Sequence, residues 1–153
     1  LYGEQVPVEG RLRVAGVVPD ERSARFREDV SVVLDDSAVF DELSPRQHLD
    51  LLAGATGHPI DVPAELARAG LDGCADVPAA RLSAGQRRRL LLAGAVARPH
   101  TVLLLDEPER ALDAAARNRL AELLRAATAR VAVVIATHDE RLIAAVADRV
   151  VAL

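Results

Sequence analysis

The stretch Thr101-Val102-Leu103-Leu104-Leu105-Asp106-Glu107-Pro108 decides the fold. A short apolar run followed at once by two acids and a proline reads as a buried strand with a charged tip. Apolar runs without polar alternation belong to sheets covered on both faces, and such sheets are parallel. Two further runs have the same form. Val30–Leu34 (VSVVL) leads into Asp35-Asp36, and Val131–Ala136 (VAVVIA) leads into Thr137-His138-Asp139. Ala111–Ala129 is rich in alanine, leucine and arginine and predicts a helix. Glu140–Ala147 predicts another, and Arg149–Leu153 (RVVAL) a last strand. Strand, helix, strand, helix, strand defines an α/β fold with a parallel sheet covered by helices.

Upstream the rhythm changes. Arg11–Val18 alternates weakly and predicts a strand after the turn at Pro7–Gly10. Ser44-Pro45-Arg46-Gln47 is a helix start: serine caps, proline suits the first helical position, and Gln47 can complete a capping box. Leu49, Leu51, Leu52 and Ala55 carry that helix to about Gly57. Pro59 and Pro63 precede a short helix, Ala64–Ala69, closed by Gly70. Asp72–Ala80 reads as loop, and Ser83–Ala97 as a helix ended by Pro99. The stretch from Ser44 to Ala97 has no clear strand and reads as a helical insertion in the α/β domain.

Composition narrows the chemistry. The chain has 153 residues, enough for one domain's core or a piece of a larger domain. Its 19 basic residues are all arginine, and methionine is absent. Without lysine there is no Schiff base and no lysine to clamp a phosphate. The net charge of −4 argues against wholesale nucleic-acid binding. Cys74 stands alone, so it forms no internal disulfide and no metal cluster. The longest apolar runs, Leu90–Ala97 and Val131–Ala136, fall far short of the ~20 residues that span a bilayer. Aromatics are 2% of residues, so the core is built from Val, Leu, Ile and Ala.

Ligands of open parallel sheets bind at the carboxyl ends of the strands, where the three polar clusters fall. Asp106 could ligate Mg²⁺ on a nucleotide phosphate, and Glu107 could orient or deprotonate an attacking water. The alternative is a pair of solvated acids in a strand–helix turn. His138 could bond the γ-phosphate or that water, or merely start a helix beside the cap Asp139. Ser83 and Gln86 have capping-box spacing, and the same helix start could bind an anion through its free N–H groups. Gly85 would let backbone approach a phosphate without a Cβ in the way. The run Arg87-Arg88-Arg89 reads as a mostly solvated helix face, with one arginine free to meet a phosphate or an acidic partner.

Together these residues resemble an ATP-binding-cassette (ABC) ATPase domain. Leu82-Ser83-Ala84-Gly85-Gln86 resembles the family's LSGGQ signature, with alanine at one glycine. TVLLLDEP at 101–108 resembles its Walker B strand with the catalytic glutamate. Ala111-Leu112-Asp113 resembles its D-loop, and IATHD at 135–139 its switch-histidine loop. GRLRVAG at 10–16 is similar to the strand after the P-loop helix, and VFDELSPRQHLDLL at 39–52 to the start of the helical subdomain.

The resemblance implies a parallel-sheet P-loop NTPase (RecA-like) core, 1–43 and 99–153, with a helical subdomain over 44–98 inserted. It implies ATP and Mg²⁺ as cofactors and a head-to-tail dimer in which Ser83, Ala84, Gly85 and Gln86 touch nucleotide held by the partner domain. Asp106 would serve Mg²⁺, with Asp35 as a second ligand. Glu107 would be the general base, His138 the γ-phosphate sensor, and Asp113 the link across the interface. A transmembrane transporter subunit, docked near the helical subdomain, would place the chain in the cytoplasm at the inner face of the cell membrane. A non-catalytic ABC-like interaction module, or an ABC-type ATPase outside transport, are the other readings.

Three departures stand out. No G-x-x-x-x-G-K-[ST] loop occurs, and Leu1-Tyr2-Gly3 resembles the far end of the helix that would follow one. The expectation is a core whose N-terminal part is missing and which binds ATP weakly or not at all alone. Asp35 stands where the family usually has glutamine, and Glu109-Arg110 where small polar residues are commoner.

Overall fold

A computed structural model of the chain describes residues 9–151. Helix α1 (Ala24–Asp29) leads into strand β1 (Val30–Val33). Helices α2 (Pro45–Thr56) and α3 (Val62–Ala69) follow, then two 3₁₀ turns, Asp72–Cys74 and Ala79–Arg81, and helix α4 (Ala84–Ala97). Strand β2 (Val102–Asp106), helix α5 (Ala114–Thr128), strand β3 (Ala132–Ala136) and helix α6 (Glu140–Val146) complete the order.

The strands form one parallel sheet in the order β1-β2-β3, with Val33 opposite Leu105 and Asp106 opposite Ala136. Alternate side chains of β2 divide between its faces. Leu103 and Leu105 join Leu120, Leu124 and Leu142 in the core under α5 and α6. Leu104 turns to Phe26, Val30 and Val14 on the other face. A separate core of Leu49, Leu66, Leu71, Ala79 and Leu90 holds the helical stretch together. Helix α4 belongs to both layers. Ser31 Oγ in β1 donates to Ala95 O of α4 at 2.7 Å, a buried bond that fixes this helix on the sheet.

The capping signals act as the sequence suggests. Ser44 and Ser83 each accept from the N–H three residues on, and Gln47 and Gln86 each bond back to the cap backbone. Gly57 and Gly70 close α2 and α3 in the left-handed conformation that a residue with Cβ adopts only with strain.

Elsewhere the structure corrects the sequence reading. Arg11–Val18 is not a strand. Ala15 (φ 50°) and Gly16 (φ 79°) form a two-residue turn between Val14 and Val17, which exchange both backbone bonds at 2.9 and 3.1 Å. β3 forms where expected but is not buried: Ala132, Val134 and Ala136 are exposed and the residues between are half-buried. No strand forms over 149–151, where Val150 and Val151 are exposed; Ala152 and Leu153 lie outside the described residues, as does Leu1-Tyr2-Gly3. Helix α5 starts at Ala114 rather than Ala111, because Ala111 (φ 61°) is left-handed and Asp113 is the cap. Among the described residues, no helix is long and apolar enough to cross a membrane.

Candidate functional site

Because the strands are parallel, their carboxyl ends share one edge of the sheet. Asp106 is the last residue of β2 and is half-buried. Glu107 follows with φ 44°, a left-handed backbone that costs on the order of 1–3 kcal/mol in a residue with a side chain. Two backbone bonds help to hold it there: its N–H donates to Ala136 O at 2.8 Å, and its carbonyl accepts from Arg110 N–H at 3.0 Å. The carboxylate reaches the edge of the next strand tip, with Glu107 Oε1 3.6 Å from His138 Nε2. His138 is 97% exposed and free to meet a ligand, whereas the Glu107 side chain is 32% exposed.

A second carboxylate lies beneath the first. Glu109 is buried, and its Oε1 accepts from Thr137 Oγ1. Its Oε2 is buried without a hydrogen-bond partner. Desolvation raises the Glu107 carboxyl above the ordinary carboxylate range; the neighbouring Glu109 carboxylate raises it further, and His138 opposes the shift. Thr137 Oγ1 also accepts from Asp139 N–H at 3.0 Å, and Asp139 caps α6. Asp106, Glu107 and His138 therefore converge on one edge, buttressed by Glu109 and Thr137.

The other sequence candidates occupy distinct places. Asp35 follows β1 at the same edge, where both carboxylate oxygens accept from Arg110 Nη1. Asp35 and Arg110, each a departure from the family pattern, are thus each other's partners. Ser83 and Gln86 bond to one another through the capping box, at 2.8 and 3.2 Å, rather than to the strand-tip carboxylates. Ser83 and Ala84 are exposed at the start of α4. Gly85 has a reason within the chain: a Cβ there would lie 2.7 Å from Ala111 O. The missing side chain makes room for the turn at 111. Asp113 Oδ1 accepts from Ala116 N–H at 2.7 Å and caps α5 from an exposed position.

The arginine run is not a solvated face. Arg87 reaches Ala80 O and Asp41, Arg89 reaches Ala69 O and Gly70 O, and Arg88 is buried. Sequence reasoning passed over Arg88, Glu109 and Arg110 as contributors to this edge. A charge directly after the Asp-Glu-Pro turn was the one signal for the last two.

Among the described residues, no cluster of three His, Cys, Asp or Glu side chains is arranged to hold a metal by itself. Mg²⁺ needs no such cluster, because it takes one or two carboxylates and draws its other ligands from phosphate and water. Asp106 offers such a hard oxygen, half-open at the strand tip.

Comparison with known proteins bears on the family and the fold. A family model described as "AAA domain, putative AbiEii toxin, Type IV TA system" matches residues 13–144, which sets the class as an AAA-type domain. The chain is 34% identical over its full length to the sulfate/thiosulfate import ATP-binding protein CysA 2 of Chromobacterium violaceum, covering 43% of that protein. It is 35% identical over 98% of its length to the cobalt import ATP-binding protein CbiO of Rhodobacter capsulatus, covering 57% of it. Its fold superposes with TM-score 0.75 on a dimeric ATP-binding cassette in a post-hydrolysis state bound to ADP and Pi. That match covers 90% of this chain and 66% of the other, at 21% identity. The chain belongs to the ATP-binding-cassette ATPase family. It spans about half the length of these two import proteins.

Proposed function

We propose that this chain is the signature-bearing and Walker B-bearing part of the ATP-hydrolysing subunit of an ABC transporter. The observation that carries the reading is the meeting of Glu107 and His138, 3.6 Å apart at adjacent parallel strand tips beside Asp106. In this reading Glu107 accepts the proton of the attacking water. Its raised affinity for protons brings it closer to the working pH and so makes it a better base. His138, exposed beside it, donates to the γ-phosphate. Asp106 would hold Mg²⁺, which neutralises phosphate charge when bound. Asp35 would join it only by giving up Arg110. Ser83, Ala84, Gly85 and Gln86 offer the amino end of α4 to nucleotide held by a second ABC domain, and Asp113 faces that domain from the neighbouring turn.

Residues 44–98 are read as the helical subdomain, and 1–43 with 99–153 as the core. A groove of about 390 Å³ between β1, α2 and α4 supports a membrane-subunit partner there. Phe40 and Leu51 rim it, 64% and 51% exposed, which suits an apolar helix face from that partner. The location that follows is the cytoplasmic face of a membrane. With no G-x-x-x-x-G-K-[ST] loop in its sequence, this chain alone is expected to bind Mg·ATP weakly or not at all.

The test is Glu107→Gln in the full-length subunit. ATP turnover falls at least about 100-fold while Mg·ATP binding, read by calorimetry, is retained. Turnover close to wild type would refute Glu107 as the base.

A further inference from the structure

Arg88 sits in the second turn of α4, five residues beyond the cap Ser83, and is 7% exposed. Among the described residues, no carboxylate is bonded to it. Its guanidinium is spent on backbone carbonyls at the site edge. Nη1 donates to Leu34 O at 3.1 Å, Nη2 to Glu107 O at 2.7 Å and to Asp106 O, and Nε to Pro108 O at 3.4 Å. These carbonyls end β1 and β2 and form the turn that sets the left-handed backbone of Glu107. The negative groups around this cation, Asp35, Asp106 and Glu109, are those of the same edge. A planar guanidinium reaches several acceptors at once, which a lysine ammonium cannot do without losing most of them. Arg110 adds a second tie, since its N–H bonds Glu107 O while its side chain bonds Asp35.

Resting on the functional reading above, we propose that Arg88 is a positioning residue of the hydrolysis site. It makes the direction of the Glu107 carboxylate, and the place of the Leu34–Asp35 segment, depend on the seating of helix α4. The amino end of α4 is the surface expected to meet the nucleotide of a second domain. A shift of that helix then reaches Glu107 through one side chain rather than through the subdomain as a whole.

Two measurements test this separately from the hydrolysis reading. In the 153-residue chain, Arg88→Gln speeds amide exchange at Glu107 and Arg110 by at least about tenfold, while Leu104 and Leu120 stay as protected as in wild type. In the full-length subunit, the same variant lowers kcat about 100-fold with KM for ATP within about threefold, the pattern of a displaced base. Arg88→Lys, which keeps the charge and the stem, behaves like Arg88→Gln and not like wild type. It also provides the reading if the glutamine variant does not fold. Unchanged exchange at 107 and 110 overturns the proposal, and so does wild-type kcat in either folded variant. A full-length wild-type subunit without ATP turnover would instead refute the hydrolysis reading and leave the exchange result to decide the role of Arg88.

Discussion

Helix α4 carries two glycines whose replacement by alanine is expected to have opposite effects. In a helix interior, glycine is about 1 kcal/mol worse than alanine. At Gly94 a Cβ would meet only Leu52 Cδ2 at 3.6 Å, an ordinary contact. Gly94→Ala therefore gains most of that 1 kcal/mol, or roughly 2–4 °C in Tm for a chain of this size. At Gly85 the Cβ would lie 2.7 Å from Ala111 O, and that acceptor is backbone. Ala111 cannot easily give way. It is left-handed at φ 61° and lies between two turn bonds, Arg110 N–H to Glu107 O at 3.0 Å and Leu112 N–H to Glu109 O at 3.1 Å. Leu112 beside it is buried. Overpacking of this kind costs about 1–3 kcal/mol. Gly85 lies in the first turn of α4, one residue past Ala84, where the interior gain does not apply, so Gly85→Ala is destabilised by about 1–3 kcal/mol. Thermal melts of both variants in parallel make the comparison, with the gap between them about 2–4 kcal/mol. If Gly85→Ala stabilises as much as Gly94→Ala, the close approach of the 111 turn to α4 is wrong.

Two further outcomes follow from burial. Desolvation pushes the Cys74 thiol above its ordinary value, and its Sγ donates to Leu71 O. Thiol reagents at pH 7.5 therefore label the native chain far more slowly than the urea-unfolded chain; equal rates would contradict the buried site. Burial lowers the affinity of the His100 ring for protons, with its Nε2 buried and unpartnered. The unfolded ring titrates near its ordinary value of about 6.5, so the unfolded state binds more protons as the pH falls below that point. The contribution is complete above about 6.5 and is lost toward the lower folded value. His100→Gln should lose less Tm than wild type between pH 7.5 and 5.5, and an equal loss would exclude the ring as a source.

The strands were legible because β1, β2 and β3 are continuous apolar runs, and the helix starts because Ser44 and Ser83 sit three residues before glutamine. Helix α1 was not legible: it buries only Phe26 among charged residues, too little for a periodic signal. The Ala15-Gly16 turn lies inside an apolar stretch whose alternation imitates a strand. The exposure of β3 was invisible because apolar content cannot report what covers a strand. At the site, Asp106, Glu107 and His138 were legible because each follows an apolar run. Arg88 and Arg110 were not. Arg88 is satisfied by carbonyls, which leave no trace in side-chain pattern, and Asp35 is 75 residues from Arg110.

The absence of lysine has a structural counterpart in how the arginines are used. Arg98 joins Arg27 O and Val30 O, holding the entry of β1 against the end of α4. Arg89 joins Ala69 O and Gly70 O, which are the unsatisfied carbonyls at the end of α3. Arg27 joins Glu21 O and Arg22 O ahead of α1, and Arg125 bonds Ala145 O near the end of α6. In each case a guanidinium supplies donors where the backbone runs out of them. An ammonium carries three donors on one atom and holds its water more tightly, so it spans separated carbonyls poorly and costs more to bury. Arg88 is the extreme of this pattern, with three nitrogens on four carbonyls. The same chemistry that ties the helical stretch to the sheet therefore also sets the edge where Glu107 stands, and a lysine at position 88 would keep the charge while releasing the turn.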